Sequence, residues 1–109
     1  MINFLVDLFR GQKYDEDNFF LLAGPCVVES EELVFEVAEK VAGICKSQSI
    51  PFIFKSSFRK ANRTSASSFT GLGDKEGLGI IQKAAKKFGL VTVTDIHSEK
   101  DAELAAAYV

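Results

Sequence analysis

The sequence predicts an α/β fold built on a parallel sheet, and three observations carry that prediction. Three short apolar runs, Phe19 to Ala23, Ile50 to Phe54 and Leu90 to Val93, each end at a turn or a polar signal. Each is followed by a stretch whose apolar residues recur at helical spacing. Strands alternating with helices in this way call for parallel pairing and right-handed crossovers. The third observation is chemical. The runs end in Gly24-Pro25-Cys26, in Lys55-Ser56-Ser57 and in Thr94-Asp95-Ile96-His97, and parallel α/β folds bind ligands at that end of the sheet.

Taken in order, Met1 to Phe9 is apolar and is expected to pack against the main body, with a period too short to assign. Residues 1–17 read as an N-terminal extension and residues 18–109 as the main body. After the first strand, Ser30 is placed to cap a helix whose first turn holds Glu31 and Glu32, which suits the positive end of the helix dipole. Leu33, Val34, Val37, Ala38, Val41 and Ile44 form its stripe, and Ser47 to Ser49 end it. The second strand leads into a Ser-, Thr- and Gly-rich connection from Lys55 to Gly73, longer than most of its kind and therefore a functional candidate. Asp74 begins the next helix, which runs through Leu78, Ile81, Ala84 and Ala85, carries Lys83, Lys86 and Lys87 towards its end and stops at Gly89. After the third strand, Ser98 caps a last helix from Glu99 to the terminus.

Composition bounds the function. The chain has 109 residues, 47% of them hydrophobic, and a formal net charge of −2. That balance argues against a nucleic-acid partner; the cations of interest are local, with Lys55, Arg59, Lys60 and Arg63 close together. Two cysteines, Cys26 and Cys45, without a secretory leader pattern, fit a cytoplasmic protein with free thiols. No apolar run approaches the ~20 residues a membrane span needs.

Lys55 and Ser57, two apart at a strand end, point to one face and outline an anion site. Asp95 and His97 repeat that spacing at the third strand. Cys45 lies on a helical stripe and reads as packing. Gly71 and Gly73 read as backbone turns, since no Gly-x-Gly-x-x-Gly follows a strand. Three βα units are fewer than a (β/α)8 barrel of about 250 residues contains. The expectation is therefore the first three units of such a barrel, truncated inside a helical pattern at Ala105-Ala106-Ala107-Tyr108-Val109.

The motifs Leu22-Ala-Gly-Pro-Cys-Val-Val-Glu-Ser30, Phe54-Lys-Ser-Ser-Phe-Arg-Lys-Ala-Asn-Arg-Thr-Ser65, Phe69-Thr-Gly-Leu-Gly73 and Thr94-Asp-Ile-His97 occur in this order from about Phe19 onward. In this the chain resembles the metal-dependent class of 3-deoxy-8-phosphooctulonate synthases. The resemblance implies an aldol-type condensation of phosphoenolpyruvate with arabinose 5-phosphate, releasing phosphate on the way to the Kdo sugar of lipopolysaccharide. It assigns Lys55, Ser57 and Lys60 to phosphoenolpyruvate, where a carboxylate and a phosphate close together need several donors and a fixed cation. Asn62 and Arg63 go to arabinose 5-phosphate, Arg63 reaching the sugar phosphate of a neighbouring subunit, which implies a homo-oligomer, a tetramer by resemblance. Lys60, Asp95 and His97 are the catalytic candidates.

Cys26 matches a position where the family's metal class ligates a divalent transition metal, for which a thiolate is a suitable donor. The same resemblance sets the remaining ligands, a His, a Glu and an Asp, beyond Val109, and it implies that this chain alone is inactive. Two residues depart from the pattern. Arg59 stands where the family usually has an acidic or other residue and is expected to add charge beside the substrate lysines; Thr64 stands where it has Ser. The alternatives are a non-catalytic remnant and the aromatic-pathway 3-deoxy-7-phosphoheptulonate synthase, whose acceptor is erythrose 4-phosphate.

Overall fold

The computed structural model describes residues 3–9, 11–15, 17, 19–60 and 71–109. Strands β1 (Leu21–Ala23), β2 (Phe52–Lys55) and β3 (Val91–Val93) form one sheet in the order β1-β2-β3, and both pairings are parallel. Leu21 stands opposite Phe52 and Ala23 opposite Phe54; on the other side Ile53 stands opposite Val91 and Lys55 opposite Val93. The α/β class and the parallel pairing thus agree with the βα pattern of the sequence.

The strands start later than the apolar runs do, and the backbone hydrogen bonds explain why. The Ile50 N–H donates to the Cys45 carbonyl at 2.8 Å and the Leu90 N–H to the Ala85 carbonyl at 2.9 Å. These donors close the helices that precede β2 and β3, so the ladders begin one or two residues further on. Pro51 has no N–H to offer, but its carbonyl accepts from Leu21 at 2.9 Å.

Helices α1 (Asn3–Leu8), α2 (Glu31–Ser47), α3 (Asp74–Phe88) and α4 (Glu99–Ala105) complete the order. Ser30 caps α2, its Oγ accepting from the Leu33 N–H at 3.1 Å. Gly89 ends α3 in the left-handed conformation, φ 64°, which a residue without Cβ adopts at little cost. Ser98 caps α4, accepting from the Asp101 N–H at 3.1 Å. That helix stops at Ala105 instead of running to the terminus. The Ala107 and Tyr108 N–H groups fall back on the Leu104 and Ala105 carbonyls and tighten the chain into a turn.

One face of the sheet carries the core. Phe52 and Phe54 pack with Val28, Val34, Ala38, Cys45, Ile80, Ile81 and Ala84, so α2 and α3 cover this face. A second cluster of Phe58, Leu78 and Ala105 seats α4 against the start of the β2–α3 connection. At the N-terminal end of the strands, Phe9 is buried against the rings of Tyr14 and Phe20, each centroid 5.0 Å away. Gln12 acts there as a substitute strand partner: its amide oxygen accepts from the Phe52 N–H at 2.8 Å and its amide nitrogen donates to the Phe52 carbonyl at 3.4 Å. Among the described residues no helix is long and apolar enough to cross a membrane.

Candidate anion-binding site

The C-terminal ends of the three strands are tied together beyond the sheet itself. An isolated parallel bridge joins Val27 to Ser57, with the Val28 N–H donating to the Ser57 carbonyl at 2.9 Å and the Ser57 N–H to the Cys26 carbonyl at 3.2 Å. Buried Ser56 links all three ends. Its Oγ donates to the Pro25 carbonyl at 2.8 Å, its N–H donates to the Val93 carbonyl at 3.4 Å, and its carbonyl accepts from the Thr94 hydroxyl at 2.8 Å. Gly24 belongs to the same junction, because a Cβ at this position would lie 1.8 Å from the Lys55 carbonyl oxygen. Only a glycine lets β1 leave the sheet so close to β2.

On this frame the side chains form a relay. Lys55 Nζ donates to Ser57 Oγ at 3.1 Å, Ser57 Oγ donates to Asp95 Oδ1 at 2.5 Å, and the other Asp95 oxygen meets His97 Nε2 at 3.1 Å. A hydroxyl has one proton and two lone pairs, so donating to Asp95 and accepting from Lys55 commits its only proton and orients it in one direction. Partial burial pushes the Asp95 carboxyl up, but the Ser57 hydroxyl, its own backbone N–H, the Lys55 cation and His97 outweigh that and hold it below its ordinary value. The result is a carboxylate locked behind a half-buried lysine, with the hydroxyl between them oriented.

The sequence candidates divide as follows. Lys55, Ser57, Asp95 and His97 come together directly, and Cys26 joins them through its carbonyl, with its thiol side exposed. Lys60 is exposed, five residues beyond Lys55 on the connection leaving β2. Asn62 and Arg63, like Thr64 and the Phe69-Thr70 part of the third motif, lie outside the described residues. Cys26 is a soft donor at the ligand-binding end of the sheet, which fits one position of a transition-metal site. Among the described residues, however, no group of three or more His, Cys, Asp or Glu side chains is arranged to hold an ion. Cys45 is buried and packs in the core, as its place on the helical stripe implies.

Arg59 does not do what its position suggests. The expectation was a further cation beside the lysines. Instead its guanidinium donates to Asp101 Oδ2 at 2.6 Å and to Asp74 Oδ2 at 3.2 Å, so two carboxylates take up its charge. Sequence reasoning missed this network and the Ser56 junction. A signal for Asp101 existed: Ser98-Glu99-Lys100-Asp101 places an acid three residues after a helix cap, where it reaches back towards the chain before the helix. Its carboxylate accepts from the His97 N–H at 3.1 Å.

Parallel α/β folds bind ligands at the C-terminal edge of the sheet, and here that edge carries a lysine, an oriented hydroxyl and a carboxylate. The chain belongs to the DAHP synthetase I family, whose model matches residues 6–109. It is 50% identical over 91 residues to the 2-dehydro-3-deoxyphosphooctonate aldolase of Paraburkholderia phymatum, a match that covers 84% of this chain and 32% of that protein. The proteins of the same name from Variovorax paradoxus and Polaromonas naphthalenivorans are 53% and 52% identical over 91 residues, again 84% of this chain and 32% of each relative. The chain therefore spans about a third of the length of the curated relatives it matches.

Proposed function

We propose that this chain supplies the first three βα units of a (β/α)8 barrel with 3-deoxy-8-phosphooctulonate synthase activity, which joins phosphoenolpyruvate to arabinose 5-phosphate in the cytoplasm for Kdo and lipopolysaccharide synthesis. The observation that carries the reading is the Lys55–Ser57–Asp95–His97 relay at the strand ends. About 50% identity to proteins named 2-dehydro-3-deoxyphosphooctonate aldolase supports the particular reaction. In that reaction C3 of the enol bonds to the sugar aldehyde, water adds at C2 and inorganic phosphate leaves.

The chain's own residues bind and orient. Lys55 and Lys60 face the carboxylate and phosphate of phosphoenolpyruvate, and electrostatic stabilisation of this kind is commonly the largest catalytic contribution. Ser57 keeps a fixed hydrogen-bond direction because Asp95 holds its proton. Asp95, kept ionised by its neighbours, also fixes the His97 ring beside the substrates. Asn62 and Arg63 serve arabinose 5-phosphate, with Arg63 acting across a subunit boundary in a homotetramer. Cys26 offers one thiolate to a divalent transition metal, which when bound would polarise or orient the sugar aldehyde.

The test uses a chimaera in which the 91 matched residues of this chain replace their counterparts in the Paraburkholderia phymatum relative. Phosphate release should require arabinose 5-phosphate as acceptor, and Lys60→Ala should lower turnover by roughly two orders of magnitude or more without unfolding the protein. Release with erythrose 4-phosphate instead would move the chain to the aromatic-pathway reaction. Near-normal turnover in a folded Lys60→Ala chimaera would remove Lys60 from the site.

A further inference from the structure

Beyond the Thr94–Ser56 hydrogen bond, two side-chain ties join the connection leaving β2 to the residues that follow β3. One is Ser57 to Asp95, already part of the anion site. The other is Arg59 to Asp101, whose same Oδ2 atom also accepts the His97 N–H. Arg59 is anchored from three sides: by Asp101 on α4, by Asp74 at the start of α3, and by the Phe58 ring, whose centroid lies 5.3 Å from the guanidinium carbon. Its two neighbours in sequence are Phe58, which is buried, and Lys60, which is exposed.

Charge decides what such an arginine is for. One guanidinium against two carboxylates leaves the cluster with a net charge of about −1, so Arg59 has no free positive charge to offer a phosphate. Asp101 is only 6% exposed and would be costly to bury without a cation, so the pair is held together rather than open to exchange with a ligand. An arginine whose two terminal nitrogens each reach a different carboxylate is also directional. It fixes the backbone that carries it, and here that backbone sets where Lys60 begins.

We propose that Arg59 and Asp101 form a strap that positions Lys60 and His97 relative to each other, making Arg59 a positioning residue of the anion site and not an anion ligand. This role rests on the anion-site reading above. The two roles predict opposite signs for one substitution. Asp101→Asn weakens the hold on Arg59: a strap then loosens and anion affinity falls, whereas a ligand arginine would be released and affinity would rise.

The experiment is calorimetric titration of the chain with phosphoenolpyruvate, and with inorganic phosphate as a second probe, for the wild type, Arg59→Met, Asp101→Asn, the double variant and Lys60→Ala. Arg59→Met and Asp101→Asn should each raise the phosphoenolpyruvate Kd about tenfold, with the double variant no worse than either single one because they break the same tie. Lys60→Ala should add to the effect of neither, since the strap acts through Lys60. Hydrogen exchange supplies a readout free of ligand: the His97 amide should exchange faster in Arg59→Met while the Val28 amide, bonded to Ser57, stays protected. Thermal unfolding separates loss of fold from loss of position, and Arg59→Lys, which keeps a charge, replaces Arg59→Met if that variant does not fold. Tighter binding in Asp101→Asn, or a Kd unchanged within about twofold in folded strap variants, overturns the proposal. A wild-type chain that binds neither probe refutes the anion site itself, and the strap's role with it.

Discussion

Ser57 Oγ stands 2.5 Å from Asp95 Oδ1 and 3.1 Å from Lys55 Nζ, so one hydroxyl separates a cation from an anion and is committed to both. The arrangement keeps Lys55 and Asp95 from closing on each other. A direct ion pair would consume the lysine; the intervening hydroxyl leaves donor protons on Nζ for a ligand. Ser57→Ala should therefore do two things. It should cost about 1.5 kcal/mol in denaturant unfolding, the low end of the range for a hydrogen bond to a charged group, because the Asp95 side chain is part exposed. It should also raise the Asp95 pKa, seen as an upward move of its carboxyl titration by NMR. An unshifted Asp95 in a folded Ser57→Ala protein would show that the hydroxyl does not hold the carboxylate.

The depressed Asp95 pKa has a definite sign in acid. The folded value lies below the unfolded one, so the stabilisation is complete above the unfolded pKa of about 3.9 and is lost as pH falls through the folded value. Urea unfolding from pH 7 down to the acid limit should show wild type more stable than Asp95→Asn at neutral pH, with the gap closing only below about pH 4. Because the carboxylate side chain is 41% exposed, solvent screening keeps the gap small. A gap that closes already between pH 5 and 7 would show that the Asp95 carboxylate is not its source.

Much of the frame was legible in the sequence because its rules are local. Ser30 and Ser98 cap helices, Gly89 ends one, and the apolar runs mark all three strands. Lys55 and Ser57 came together because a two-residue spacing at a strand end sets them on one side. The rest depends on partners far apart in the chain. Arg59 meets Asp101 across a sequence separation of 42 residues, and Gln12 meets Phe52 across 40. No periodicity encodes such pairs, so Arg59 read as a free cation until its carboxylates were seen. Helix α1 was unassigned for the opposite reason: six residues without an acidic first turn or a basic last turn give too little pattern.

The two thiols should behave differently. Cys26 is exposed at the strand ends, whereas Cys45 is 2% exposed in the core and burial pushes its pKa up, which disfavours the reactive thiolate. Iodoacetamide under native conditions should alkylate Cys26 alone, with Cys45 reacting only after denaturation, as read by peptide mass spectrometry. If Cys26 donates to a transition metal in the chimaera, added metal should slow its alkylation and a chelator should restore the rate. Equal native labelling of both cysteines would contradict the packing of Cys45.

Gly24 gives the sharpest structural prediction. It sits where β1 leaves the sheet, and a Cβ there would come within 1.8 Å of the Lys55 carbonyl oxygen, 2.8 Å of its carbonyl carbon and 3.2 Å of the Phe54 ring. The first two obstacles are backbone, so no side-chain rotation relieves them. Gly24→Ala must push β1 and β2 apart at the point where Lys55 leaves the ladder, and it should cost on the order of 3 kcal/mol or more. The comparison is Gly79→Ala on α3, where a Cβ meets nothing within 4 Å and where alanine favours the helix by roughly 0.5–1 kcal/mol. The pair should move the unfolding midpoint in opposite directions. The Gly24 variant should also lose affinity for phosphoenolpyruvate, because the displaced strand carries Lys55. A Gly24→Ala protein as stable as wild type would mean that the β1 and β2 ends do not approach as closely as the structure has them.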